Sequence, residues 1–302
     1  MKCLVTGGLG YIGSNLVEKL IDGGYDVRVI DNKSSNFNNC TTFKDAEYFF
    51  IDLKNYDKIT PIFNGIDVVF HLASDVSIDY CLRNPRESCL NNSIINTNVL
   101  EASRINNIKK LIFSSTSAVY KCSKKPVSEN SEISGNTTTY GASKILGESL
   151  CRIYSDLYGL NTIILRYFNV FGKNSNISEY SSVLNKFFDL YKKNEPLLVN
   201  GGQQTRDFIH VEDVVDCNIK CAEFTSSGNL TYNVGTGKSY TIDYIAKQIS
   251  QNILYKDYRS NDILYSESNI DKIKKDLKWS PRIDIIKYIN EEKNRIANHS
   301  NK

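Results

Sequence analysis

TGGLGYIGS, Thr6 to Ser14, is the stretch on which the fold turns. A short apolar run, Lys2 to Thr6, leads into it and an amphipathic helical pattern, Tyr11 to Ile21, leads out, so Gly7, Gly10 and Gly13 fall in a strand-to-helix turn. Gly7 permits the tight turn, Gly10 lets backbone approach a phosphate, and Gly13 lets the helix pack on the strand. The first helical turn, with Tyr11 and Ile12, then presents unbonded amides to a pyrophosphate. A glycine trio alone is a weak sign and equally fits a plain structural turn. Its context strengthens it: Asp31, followed by Asn32, ends the second apolar run roughly 20 residues on, where a carboxylate receives ribose hydroxyls. The pattern reads as dinucleotide binding. A carboxylate facing the adenosine ribose repels a 2′-phosphate, which favours NAD over NADP. Lys33 is close enough to offset that repulsion, although a solvated loop lysine is the plainer account.

Outward from this turn, apolar runs alternate with helical patterns. The runs are Lys2 to Thr6, Asp26 to Ile30, Tyr48 to Ile51, Val68 to Leu72, Leu111 to Phe113 and Thr162 to Leu165; the helices are Tyr11 to Ile21, Tyr56 to Phe63, Arg86 to Arg104 and Tyr140 to Tyr158. This alternation predicts an α/β fold, a doubly wound parallel Rossmann sheet. After Gly172 the rhythm changes to helices with isolated strands, Leu197 to Val199 and Tyr232 to Val234, which predicts a smaller α/β substrate domain. The expected division is 1–168 for the dinucleotide domain and 169–302 mainly for substrate, with 211–235 packing back on the large sheet. The Ser/Asn-rich stretches Ser34 to Asn39 and Asn174 to Ser182 read as mobile loops, the second a candidate lid.

Composition excludes several classes. With 37 basic and 34 acidic residues spread along the chain, the net charge of +3 leaves no footprint for nucleic acid. The N-terminus reaches Gly7 and Gly8 too soon to hold a signal-peptide core, and no apolar stretch has membrane length, so the default compartment is the cytoplasm. Eight cysteines without a CxxC pair read as reduced thiols. Cys217 and Cys221 sit one helical turn apart, but with three histidines in the chain the complementary metal ligands are missing, and packing is the reading; no metal is expected.

A second constellation is Tyr140-Gly-Ala-Ser-Lys144 at the start of a predicted helix. A spacing of four puts phenol and ammonium on one face. For a tyrosine to act as a base its pKa must fall from about 10 to near 7, roughly 4 kcal/mol of differential stabilisation of phenolate. Lys144 and the positive ring of oxidised NAD can supply it. Taken alone, such a pair is commonly amphipathic decoration. It gains weight from Ser114-Ser-Thr-Ser117, which puts hydroxyls at the carboxyl end of the fifth strand, where open α/β sheets bind ligands.

Glycine loop, hydroxyl run and YxxxK occur in the order and spacing of extended short-chain dehydrogenases/reductases, and the chain most resembles the UDP-glucose / UDP-N-acetylglucosamine 4-epimerase group within the NAD-dependent epimerase/dehydratase family. Further matching segments are Asp52-Leu53, His71-Leu72-Ala73, Asn92 ahead of Asn98 to Ala102, Arg166 to Val170, Gln204 to Phe208, Asn233 to Gly237 and Arg259 to Ile263. The resemblance implies that Thr116 hydrogen-bonds the reacting sugar hydroxyl, that Tyr140 is the acid/base, and that Lys144 binds the nicotinamide ribose while lowering the phenol's pKa. It puts Asp52 and Leu53 at the adenine, Leu72, Ala73 and Asn92 along the cofactor, and Tyr167 by the nicotinamide. Ser77 and Ser266 would face the sugar, and Asn169, Arg206 and Arg259 would hold the nucleotide diphosphate, a role that suits guanidinium groups. By residue type alone both arginines read as surface residues. A homodimer with a small-molecule nucleotide-sugar substrate is what the family implies.

The chain departs from the family pattern at Lys121 and Ile95, where glycine is usual, and in a shortened Gly201-Gly202 turn; none of these removes a reacting group. Related 4,6-dehydratases carry Asp-Glu after the catalytic threonine, whereas this chain has Ser117 and Ala118, so the acid/base pair for elimination is absent. Epimerisation at carbon 4 is therefore the leading expectation, with another epimerisation position, a uronic-acid substrate, or a non-catalytic dinucleotide sensor as alternatives.

Overall fold

A computed structural model of the chain describes residues 1–34, 42–134, 138–172, 182–258 and 262–300. In chain order the elements are β1 Lys2–Thr6, α1 Tyr11–Asp22, β2 Asp26–Ile30, β3 Ala46–Phe49, α2 Tyr56–Ile59, β4 Val68–His71, α3 Ile78–Arg83, α4 Pro85–Ile105, β5 Lys110–Thr116, α5 Thr139–Tyr158 and β6 Thr162–Tyr167. There follow β7 Asn169–Phe171, α6 Val183–Lys192, β8 Leu197–Asn200, β9 Thr205–His210, α7 Val211–Glu223, β10 Asn229–Val234, β11 Ser239–Thr241, α8 Ile242–Ile249, β12 Ile253–Lys256, α9 Asp271–Leu277 and α10 Ile285–Ser300.

Among the described residues the large sheet has seven parallel strands in the order β10-β6-β5-β4-β1-β2-β3, the doubly wound arrangement expected from the alternating pattern. Strand alternation divides its core. Cys3, Val5, Phe70, Ile112 and Leu165 face one side with Leu16, Val17 and Leu20 of α1 and Val214 and Cys217 of α7. Leu4, Val69, Leu111, Phe113 and Ile164 face the other with Val99 and Leu100 of α4 and Cys151 of α5. A separate apolar cluster built on Phe171, Phe187, Val199, Phe208, Ile245 and Ile289 holds the smaller sheets and α6, α8 and α10 together. Within 211–235, α7 covers the large sheet and β10 pairs in parallel with β6.

Several element boundaries differ from expectation. The third strand covers Ala46–Phe49 rather than Tyr48 to Ile51, because its register is set by pairing with Val27 to Ile30, and Phe50 beyond it is 50% exposed. The helix expected over Tyr56 to Phe63 breaks into a short α-turn and a 3₁₀ turn, Thr60–Phe63, at Pro61, which has no amide to continue an α-ladder. The fifth and sixth strands run on to Thr116 and Tyr167, since Ser114 to Thr116 pair with Leu165 to Tyr167 and β10 pairs the other edge of β6 as far as Tyr167. The expected mobile stretches Ser34 to Asn39 and Asn174 to Ser182 lie, apart from Ser34 and Ser182, outside the described residues.

The site is positioned by the sheet's carboxyl edge. Thr6 pairs with His71, and Thr116 with Tyr167, at the ends of β1, β4, β5 and β6. β1 and β4 are the neighbours at which the strand order reverses, where open sheets of this kind leave a crevice.

Candidate active site

The glycine loop is shaped by close backbone approach. Gly7 has φ +70°, and a Cβ there would come within 2.8 Å of the Ala73 amide nitrogen; a Cβ on Gly13 would sit 2.1 Å from the Gly7 carbonyl oxygen. α1 starts at Gly10 with no side-chain cap and no acidic residue in its first turn, so the amides near Tyr11 and Ile12 keep their affinity for an anion. That uncapped end fits a dinucleotide's pyrophosphate. Tyr11 packs its ring on the core below, and its buried hydroxyl has no partner among the described residues.

Asp31, 8% exposed, accepts the Leu9 amide at 3.1 Å on one carboxylate oxygen and the Lys33 amide at 2.8 Å on the other. A carboxylate accepts about four hydrogen bonds, so capacity for ribose hydroxyls remains. The Lys33 ammonium lies 3.4 Å from the centre of the Phe50 ring, turned to that ring as its partner. Asn32 donates to Asp52 at 3.4 Å, and the Leu53 carbonyl is held by Asn98 at 2.9 Å, which brings the two adenine-side segments together.

Beneath the loop, a buried relay fixes the segment after β4. The His71 imidazole contacts the Thr6 hydroxyl at 2.7 Å through Nδ1 and Asn96 Oδ1 at 3.0 Å through Nε2, while the Ala73 amide donates to Thr6 Oγ1 at 3.3 Å. With Asn96 accepting, Nε2 carries the proton and Nδ1 accepts from Thr6. Burial pulls the His71 pKa down to about 3, reinforced by the charge of Lys144, so the ring is neutral. Leu72 continues from this relay, its amide on the Thr6 carbonyl.

Asn92 was expected along the cofactor; the structure gives it a strut's part. It is 1% exposed and its amide is fully engaged, accepting from Ser74 Oγ and the Asp75 amide and donating to the Asp75 carbonyl and Ser143 Oγ. Ser77, expected at the sugar, accepts the Tyr80 amide at 3.0 Å as the cap of α3, which leaves its O–H to donate.

The reacting groups expected from YxxxK do converge. Thr138 caps α5 through the Gly141 amide at 3.1 Å, which starts the helix so that Tyr140 stands in its first turn beside the end of β5. Tyr140 is half-buried as a residue, but its phenolic oxygen is enclosed; burial pushes its pKa up to about 12, against a hydrogen bond from Thr116 that lowers it. Lys144, 2% exposed, donates to the Ser114 carbonyl at 2.8 Å, and its ammonium lies 5.9 Å from the centre of the Tyr140 ring. Burial pulls Lys144 down to about 8. Thr116 also accepts the Ala118 amide at 3.2 Å, which fixes its rotamer. Tyr167, 6% exposed, donates to Asn218 Oδ1 at 3.0 Å and accepts from Ser114 at 3.2 Å, so its hydroxyl ties β6 to β5 and α7.

On the substrate side, Asn169 opens β7 opposite Phe208. Arg206 is already paired within the protein: Nη2 meets Asp262 Oδ1 at 2.8 Å and Nη1 donates to the carbonyls of Thr205 and Ile263 at 2.8 and 2.5 Å. Sequence reasoning missed this partner, although Asp262 belongs to a quoted motif. Ser266 is half-buried beside Tyr265, its amide on Thr205 Oγ1 at 3.3 Å. Arg259 lies outside the described residues. Also missed was Asp207, fully buried and accepting from the Thr236, Gly237 and Ser268 amides and from the hydroxyls of Thr236 and Ser268, which pins the Asn233 to Gly237 turn to the loop that carries Ser266. Among the described residues no group of histidine, cysteine and carboxylate side chains is arranged to hold a metal, and no helix is long and apolar enough to cross a membrane.

Comparison with known proteins fits this geometry. Residues 3–235 match the model of the NAD dependent epimerase/dehydratase family. A putative UDP-glucose 4-epimerase of Methanocaldococcus jannaschii is 33% identical, over 98% of this chain and 99% of its own. The crystal structure of Thermotoga maritima UDP-glucose 4-epimerase with UDP-glucose superposes with a TM-score of 0.92 at 30% identity, covering 100% of both chains. UDP-N-acetylglucosamine 4-epimerase from Methanobrevibacter ruminantium, solved with UDP-N-acetylmuramic acid, gives 0.88 at 34%, covering 98% of this chain and 97% of that one. The chain belongs to the NAD-dependent epimerase/dehydratase family, and its cofactor is NAD.

Proposed function

Starting from membership of that family, we propose that the chain interconverts the carbon-4 epimers of a UDP-sugar through a transient 4-keto intermediate. The observation that carries this reading is the meeting of Thr116, Tyr140 and Lys144 at the carboxyl edge of β5, with Ser117 and Ala118 standing where an eliminating enzyme has its acid and base. NAD, which the glycine loop and Asp31 would hold, would supply a reversible two-electron acceptor, so that no net oxidation results. Thr116 orients the carbon-4 hydroxyl, and Tyr140 takes its proton as the carbonyl forms and gives it back when the opposite face is reduced. Burial holds the enclosed phenol high; the Lys144 ammonium, 5.9 Å from the centre of its ring and held by the Ser114 carbonyl, is the charge proposed to favour phenolate. Arg206, oriented by Asp262, and Asn169 and Arg259 are the groups for the diphosphate.

Two finer points belong to the same reading. Ser266 is small and half-buried, which supports room for an N-acetyl group beside carbon 2, so the substrate class includes UDP-N-acetylhexosamines with UDP-glucose and UDP-galactose. A homodimer is supported by an exposed apolar stripe on adjacent helices: Leu90 and Ile94 on α4, and Leu146, Ile153 and Leu157 on α5, are 41–70% exposed at helical spacing. Leu157→Glu should lower the sedimenting mass toward the monomer; an unchanged mass would remove this face from the account. For the reaction itself, purified protein incubated with UDP-, GDP- and dTDP-sugars should give carbon-4 epimers of the UDP-sugars by NMR. Stoichiometric consumption of added NAD, or inversion at another carbon, would overturn it.

A further inference from the structure

The dinucleotide-binding half contains a buried ion pair that the reaction itself does not use. Glu148 and Arg166 are each 1% exposed at the side chain, with Nη2 to Oε2 at 2.6 Å and Nε to Oε1 at 2.8 Å. Glu148 stands on α5 four residues after Lys144 and eight after Tyr140, on the helix's buried face. Its Oε1 also accepts the Ser115 hydroxyl at 2.6 Å, one residue before Thr116 on β5, and its Oε2 accepts Arg152 at 2.9 Å. Arg166, one residue before Tyr167 on β6, uses its remaining nitrogen on the Tyr120 hydroxyl at 2.9 Å and the Glu129 carbonyl at 3.0 Å, and Tyr120 in turn donates to Asn233 on β10 at 2.6 Å. One carboxylate thus ties the helix that carries two of the reacting groups to the strand that carries the third.

Stability alone is a poor account of this pair. Removing two charges from water costs several kcal/mol per ion, and replacing such a pair with apolar side chains of similar volume is often neutral or stabilising. What the pair offers is direction, since guanidinium and carboxylate meet through two parallel bonds of fixed geometry. We propose that Glu148, clamped by Arg166 and Ser115, is a positioning residue that holds Tyr140 and Lys144 on α5 in register with Thr116 on β5. This rests on the reading of those three as the reacting groups. A second effect follows from charge. Burial pulls the Lys144 ammonium down to about 8, and the Glu148 carboxylate opposes that pull, whereas the Cys151 thiol, pushed far up by its own burial, stays uncharged. Also facing it are His71, which is neutral, the Phe113 and Tyr140 rings and the Ser114 carbonyl. Loss of the Glu148 charge therefore lowers Lys144 further, so its ammonium disappears at lower pH.

The test compares Glu148→Gln and the double variant Glu148→Met/Arg166→Met with the wild-type holoenzyme on the UDP-sugar that it turns over. A misalignment near 1 Å costs about 10²-fold in rate, so kcat should fall by that order in both variants. KM should hold, because Arg206 is oriented by Asp262 and the Thr205 and Ile263 carbonyls and not by the pair, and in Glu148→Gln the alkaline limb of the kcat profile should move to lower pH. The double variant should unfold at a urea concentration no lower than wild type. An unshifted pH profile in Glu148→Gln overturns the charge effect, and a folded double variant with wild-type kcat overturns the proposal. So does a double variant that fails to fold, or one that loses bound NAD and raises KM in step with kcat, since the pair is then a stability device. Tyr140→Phe run alongside separates the two readings. Full turnover by Tyr140→Phe sinks the assignment of the reacting groups, whereas an inactive Tyr140→Phe beside a fully active double variant sinks the positioning role alone.

Discussion

Gly7→Ala and Gly24→Ala form a matched pair in which one substitution meets only backbone strain and the other meets strain and a collision. Both glycines sit at positive φ, +70° and +75°, so each alanine carries the left-handed penalty of about 1–2 kcal/mol. At Gly24 an added Cβ finds nothing within 4 Å, and the cost should stop there. At Gly7 it meets the Ala73 amide nitrogen at 2.8 Å, the Ala73 Cα at 2.9 Å and the Leu72 carbonyl carbon at 3.2 Å. These are backbone atoms, held by the Thr6–His71 relay, and cannot swing aside as a side-chain end would. Overpacking of this kind adds about 1–3 kcal/mol, for a total of about 2–5 kcal/mol. Equilibrium urea unfolding of the two variants measures the difference directly, because the shared backbone term cancels. The strain that remains displaces the segment after β4 from the glycine loop, so Gly7→Ala should also release NAD on gel filtration while Gly24→Ala retains it. Equal destabilisation in the two variants, or full NAD retention by Gly7→Ala, would refute the close-approach argument.

Three further outcomes are expected. Tyr140→Phe should lower kcat by several orders of magnitude with substrate affinity largely intact, and Thr116→Val should be milder; steady-state kinetics with a binding titration distinguishes them, and near-normal turnover by Tyr140→Phe would point to another base. His71, whose pKa is pulled from 6.5 to about 3, is neutral when folded and takes up a proton more readily when unfolded, so its contribution is fully present above 6.5 and is lost as pH falls toward 3. That contribution is of order 5 kcal/mol at most, and His71→Gln should flatten the fall in unfolding free energy across that window; an unchanged slope counts against it. Ser266→Tyr should sharply reduce conversion of the N-acetylated UDP-sugar and spare UDP-glucose, because the larger substituent alone loses its space; equal loss on both would remove Ser266 from the specificity argument.

The sequence by itself determined those features that depend on neighbours a few residues away. The glycine loop was legible because Gly7, Gly10 and Gly13 set one local turn, and the doubly wound sheet because each strand–helix unit repeats the same change of hydrophobic period. Tyr140 and Lys144 were legible as a pair because a helix brings residues four apart onto one face, and Glu148, one further step along that face, was available to the same reasoning but was passed over. Only the tertiary structure decided what those side chains meet. The edge register of β3 depends on hydrogen bonds to β2, so the apolar run misplaced it by two residues. Asn92, expected along the cofactor, has its amide engaged by Ser143 and Asp75, and Ser77, expected at the sugar, also caps α3. Arg206 looked like a free guanidinium until Asp262, 56 residues away in sequence, was found against it. The same holds for Glu148, whose partners Ser115 and Arg166 come from two different strands. Hydrophobic period and turn chemistry are written locally, whereas the partner of a buried charge depends on which distant elements the packed sheet makes adjacent, and no spacing in the chain records that.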